Sequence, residues 1–179
     1  MVKVEQVMKI TKNRLRKIIQ EELEAPVMPD LSGLLSEYLG CLRSLGVWFH
    51  GAHQLTKGTG FTGDHVHLYG DIYNELVEDY DAAAEKALGL TGDEGVACPH
   101  RILEIAVEKM APFQSPSDSS ADEIAMTALE MVRHHLVMVE GLFNALEHMG
   151  LLTLGMDDFL AAAANRYESY VYLLGQRVK

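Results

Sequence analysis

Cysteine is scarce: the 179-residue chain holds two, Cys41 and Cys98, far apart and in no C-x-x-C pair. That excludes a disulfide framework and a cysteine-based zinc cluster; it suits a reducing compartment, with both thiols expected as small buried residues. No apolar run approaches the ~20 residues that cross a bilayer, "FLAAAA" being among the longest, so no membrane association is expected. The basic N-terminus is followed by no apolar h-region, and a cytoplasmic location is the expectation. Segments alternating at period two are missing, which argues against a sheet. Equally missing are a phosphate-binding Gly-rich loop, a nucleophile elbow and an H-E-x-x-H helix; "GTGFTG" has no strand before it and reads as a turn. No Glu has a His three residues later, which removes the E-x-x-H pairs that build metal centres inside a four-helix bundle.

With 48% apolar and 23% charged residues, the composition is that of one globular domain. Its charge is divided. Residues 1–20 hold Lys3, Lys9, Lys12, Arg14, Arg16 and Lys17 against Glu5 alone, a local +5, so the rest of the chain carries −16 of a net −11. A basic arm over residues 1–29 on an acidic body over 30–179 is the expected organisation. The arm could neutralise phosphates of DNA, or dock on a protein through Leu15, Ile18, Ile19 and Leu23. No aromatic residue interleaves its basic ones, so stacking on single strands is unsupported.

Pro and Gly punctuate the body into helices. Asp30 is a candidate N-cap for a first long helix over about 31–56, with Leu35, Leu42, Leu45 and Phe49 on one side. A second runs over about 64–88. A short one, "PHRILEIAVEKM", lies in the long link that follows, with Pro99 in its first turn. Ser120-x-x-Glu123 reads as a capping box for a third long helix ending at Gly150, on which His135 falls in the apolar stripe as a satisfied core histidine; His134 and His148 fall outside it. Asp157 and Asp158 suit the start of a fourth. Two short connections and one long crossover make an all-α, ferritin-like four-helix bundle with an extra short helix in the crossover.

The second helix carries the most informative pattern. In "HLYGDIYNELVEDYDAAAE" the residues His67, Asp71, Glu78, Asp81 and Glu85 fall within an arc of roughly 80° at about 100° per residue, opposite Leu68, Ile72, Leu76, Tyr80 and Ala83. Imidazole and carboxylate together suit iron, manganese or zinc, and residues four apart on a helix can share one ion; His67/Asp71 and Asp81/Glu85 are so spaced. A solvated helix face carries the same pattern. Lying opposite the core, these groups would need a second surface to close a site, and a neighbouring subunit could supply one.

"HQLTKGTGF" followed by "HVHLYGDIYNELVEDYDAAAEKALGL" resembles the Dps-type miniferritins, DNA-binding proteins from starved cells, in which a His, a Lys-Gly loop with a Phe, a second His with an acid four residues on, and D-x-x-x-E follow in order. The likeness extends more loosely over residues 30–177, through "CPHRILEIAVEKM" and "DDFLAAAANRYESYVYLLGQ". It implies an iron-binding ferroxidase, with iron oxidised between two-fold-related subunits of a dodecameric shell and stored as ferric mineral, and it assigns no catalytic residue beyond the metal ligands. His53 matches the first His, Lys57, Gly58 and Phe61 the loop, and Asp81 and Glu85 the D-x-x-x-E pair. The middle departs. Counted back from Asp81, the second His and its acid fall on Val66 and Gly70; counted forward from His53, the His falls on His65. His67 and Asp71 keep the internal spacing and are assigned as ligands with His53, His65 being held in reserve, and a one-residue bulge near Gly70 would reconcile the counts. The resemblance also allows DNA binding by the arm, and a shell that coats DNA without oxidising iron.

Overall fold

The computed structural model describes residues 30–179; the basic arm of residues 1–29 lies outside the described residues. Five α-helices dominate the described part, which contains no strand: α1 (Leu31–Leu55), α2 (Asp71–Thr91), α3 (Pro99–Met110), α4 (Ala121–His148) and α5 (Leu154–Arg177). A π-helical segment, Gly63–Gly70, leads straight into α2. Short 3-10 turns, Glu94–Ala97 and Pro116–Asp118, flank α3.

The ends of the helices follow local chemistry. Gly33 N–H donates to the Asp30 carboxylate at 3.0 Å, closing the start of α1. At α4 the capping box is complete: Glu123 N–H donates to Ser120 Oγ, and Ser120 N–H donates to the Glu123 carboxylate at 2.7 Å. α5 starts three residues before Asp157, because Thr153 Oγ1 accepts from Met156 N–H and caps it first. Asp157 still sits in the first turn, where the dipole favours it. The turn before α5 passes through Gly150 at φ +68, a left-handed position that glycine adopts without strain.

The four long helices enclose a core that includes Leu39, Phe49, Ile72, Ile124, Leu146 and Tyr167, all buried. α3 crosses the outside of α1 at Gly40, where an added Cβ would stand 2.3 Å from Ile105 Cγ2. Two long-range bonds pin the crossover to α1: Ser36 Oγ donates to the Val96 carbonyl at 3.0 Å and Trp48 Nε1 to the Gln114 carbonyl at 2.9 Å. On α2 the buried positions run Ile72, Leu76, Asp79, Ala83 and Ala87. The apolar stripe therefore passes through Asp79, and Tyr80, expected on it, is only half-buried.

His135 is fully buried, as its place in the stripe required, but only half satisfied. Nδ1 lies 3.6 Å from Cys41 Sγ, and Nε2 has no hydrogen-bond partner among the described residues. Burial lowers its pKa to about 3. The unfolded imidazole takes a proton near pH 6.5 and the folded one resists it, so this group's contribution is complete above pH 6.5 and is lost as pH falls toward 3. Urea midpoints measured from pH 7 to 4 should therefore decline with a slope of up to about 1.4 kcal/mol per pH unit from this site. His135→Gln should flatten that part of the profile; an unchanged slope would show that other groups control it.

Candidate metal centre

The end of α1 and the π-helical segment meet through two histidines. His53 Nδ1 donates to the His65 carbonyl at 2.7 Å, and His65 Nδ1 donates to the His53 carbonyl in return. The rings stack at 3.9 Å between centroids and 13° between planes, and Phe61 stacks on the outer side of His65 at 4.9 Å. A carbonyl oxygen can only accept, so both Nδ1 atoms carry hydrogen. Each neutral ring then presents Nε2 as a free lone pair, the form in which imidazole binds metal ions. One bond also satisfies a carbonyl in the last turn of α1, where a helix leaves its acceptors unpaired.

The expected bulge near Gly70 is present as the π-helical segment, which ends at that residue. Its wider i→i+5 turn takes up the one extra residue between His65 and Asp81. Gly70 also makes the histidine pair possible. A Cβ there would stand 2.8 Å from the His65 carbonyl oxygen and 3.1 Å from His53 Nδ1. His65, not His67, is thus the residue set beside His53.

The other assigned residues lie on the outside. His67, Asp71, Glu78, Asp81 and Glu85 are all exposed, as a single polar stripe. Burial, then the negative charges of Glu75 and Asp71, push the Tyr170 hydroxyl up to about 12. Asp81 and Glu85 are one turn apart on the same face of α2. Among the described residues of one chain, no three His, Cys, Asp or Glu side chains converge on a point that could hold an ion. One chain brings two imidazoles together and, separately, carries a carboxylate pair.

A second polar cluster sits inside the bundle, and no sequence motif pointed to it. Asp79, 4% exposed, accepts from Tyr167 Oη at 2.7 Å and pairs with Arg166 Nη2. Arg166 Nε lies 3.3 Å from Glu75. In a run as acidic as "ELVEDYD" nothing in composition separates Asp79 from its neighbours; its 4-3-4 spacing with Leu76, Ile72 and Ala83 was the available signal.

No protein-family model matches the sequence, nor does any curated protein. Solved structures do match in fold. A crystal structure of a Dps protein from Bacillus brevis superposes with a TM-score of 0.69 at 18% identity, over 83% of this chain and 95% of that one. A Dps protein from Vibrio cholerae O1, described as a member of a broad superfamily of ferritin-like diiron-carboxylate proteins, gives 0.67 at 17% identity, over 83% and 89%. The chain has the ferritin-like fold of Dps-type miniferritins.

Gly70→Ala should destabilise the protein by about 1–3 kcal/mol through overpacking, and it should break the reciprocal bonds. In nitrogen-15 spectra both histidines should show the Nδ1-protonated tautomer in the unsubstituted protein and lose it in the variant. Retention of that tautomer in Gly70→Ala would refute the assignment.

Proposed function

We propose that the chain is a subunit of a Dps-like miniferritin that binds Fe(II) between two copies, oxidises it with peroxide or dioxygen, and stores the ferric product in a closed, dodecameric shell. The observation that carries this reading is the stacked pair His53 and His65, whose bonding leaves both Nε2 lone pairs free. Asp81 and Glu85 of a second copy would complete the donor set. Two imidazoles with carboxylate and open positions suit ferrous ion, and the carboxylates suit the harder ferric product. His67 and Asp71, assigned from spacing, would then act from the exposed stripe as further cation ligands.

The surface around the half-site supports pairing of copies. Val47 of α1, Val66 of the π-helical segment and Val77 of α2 are exposed apolar residues on the elements that carry the ligands. A second copy would cover them while bringing its acids to the imidazoles. The acidic body, −16 outside the first twenty residues, would draw cations toward the shell.

One observation favours a second reading, a shell of the same fold that does not oxidise iron. Gly70 stands where the family's acid is counted, so the chain's own half-site contributes no carboxylate there. Ferrous oxidation by the purified protein separates the two. Asp81→Ala/Glu85→Ala should slow it by at least about 100-fold if these acids hold the reacting iron, since ligand loss removes metal binding and turnover together. His53→Ala should do the same, and equal rates in all three proteins would end the ferroxidase reading.

The arm of residues 1–29 supports DNA binding by charge alone. Its removal should reduce the slope of log affinity against log salt by about 0.9 for each phosphate that the arm neutralises. An unchanged slope would assign the arm to a protein partner.

A further inference from the structure

The buried cluster around Asp79 reaches the surface through a second tyrosine. Tyr170 of α5 lies 6.2 Å from Tyr167 between ring centroids and is half-buried, and the charges of Glu75 and Asp71 on α2 act on its hydroxyl. Tyr167 in turn meets His135 edge-on at 4.5 Å, and His135 stacks on Tyr38 at 5.8 Å. The two phenols that meet His135 differ in one respect. Tyr167 donates to a carboxylate, whereas the Tyr38 hydroxyl has no partner among the described residues. Packing does not call for a carboxylate here: Phe at 167 and Leu at 79 would fill similar space without desolvating Asp79. The arrangement has a chemical use. A phenol that loses an electron in a low-dielectric core must shed its proton at once, because a buried phenolic cation is too costly. Only Tyr167 has an acceptor in place.

We propose that Tyr170 and Tyr167 form a one-electron relay that draws oxidising equivalents of the hydroxyl-radical class from the acidic face of α2 into the core, with Asp79 as the proton acceptor of Tyr167. A hydroxyl radical takes the hydrogen of the Tyr170 phenol, so that this O–H bond breaks and an O–H bond of water forms. The Tyr170 phenoxyl takes one electron from Tyr167 and a proton from solvent at its open edge. The proton leaving Tyr167 crosses its existing 2.7 Å hydrogen bond to Asp79. In sum the radical is reduced to water, Tyr170 is restored, and Tyr167 holds the unpaired electron with its proton on Asp79 beside Arg166. An oxidising equivalent held there is kept from the exposed side chains of α2.

The relay does not rest on the iron reading, and it is tested without iron. Azide radicals, made by pulse radiolysis, oxidise the full-length protein by one electron, and freeze-quenched electron paramagnetic resonance with phenoxyl absorbance follows the product. A long-lived phenoxyl is expected, slower to form in deuterium oxide, retained in Tyr38→Phe and lost in Tyr167→Phe. Tyr170→Phe, at a partly open position where folding is not at stake, should abolish or delay the buried signal. The same yield and lifetime in Tyr167→Phe, with its helical circular dichroism intact, would overturn the relay. So would an unchanged buried signal in Tyr170→Phe.

Discussion

Two imidazoles that each donate a hydrogen bond to the other's main-chain carbonyl set most of what is specific to this bundle. The exchange between His53 and His65 ties the last turn of α1 to the π-helical segment and fixes both tautomers. Both bonds run between side chain and backbone, so turning either ring gives up a hydrogen bond worth about 0.5–1.5 kcal/mol. The free Nε2 atoms are thereby oriented by main-chain geometry. Gly70 is the condition for all of this, since any side chain there would enter the space that His53 Nδ1 and the His65 carbonyl share.

Much of the fold was legible because it depends on local chemistry. Asp30 and Ser120 announce their helices by capping, and Ser120-x-x-Glu123 closes in both directions as its spacing required. The crossover helix begins at Pro99, which can take a first-turn position without losing a bond. The site was legible only in part. Spacing on an ideal helix favoured His67 with Asp71, whereas the chain adopts a wider turn there and presents His65. A mismatch of one residue signalled that turn; which histidine it would select depends on a contact with α1, and no local pattern contains that. Asp79 was missed for a related reason. Its side chain is acidic, but its angular position is that of the core, and only Arg166 and Tyr167 from a distant helix make that burial tolerable.

The two polar systems on α2 follow opposite electrostatic rules. Asp81 and Glu85 are exposed and hydrated, so their charge costs little and remains available to an incoming cation. Asp79 is desolvated and already matched by one guanidinium and one phenol. Removing Arg166 would leave the buried Asp79 charge without its counter-ion, a loss of about 3–5 kcal/mol for such pairs. Adjacent acids on one helix thus divide into a stable internal clamp between α2 and α5 and an external, hydrated set.

The π-helical segment explains how both sets coexist with a chain one residue longer than the family spacing. An extra residue inside a regular α-helix would rotate everything beyond it by about 100°. Asp79 would then leave the core, Tyr80 or Glu78 would enter it, and the Asp81/Glu85 face would turn away from its present direction. Widening the helix over Gly63–Gly70 absorbs the residue before α2 begins, so the buried series Ile72, Leu76, Asp79, Ala83, Ala87 keeps its phase. The wide turn is placed where its carbonyl at His65 has a second donor in His53, which lowers the cost of the irregular backbone. The same insertion that broke the motif in the sequence is therefore confined to a stretch where α1 can stabilise it, and the polar face beyond it keeps its direction.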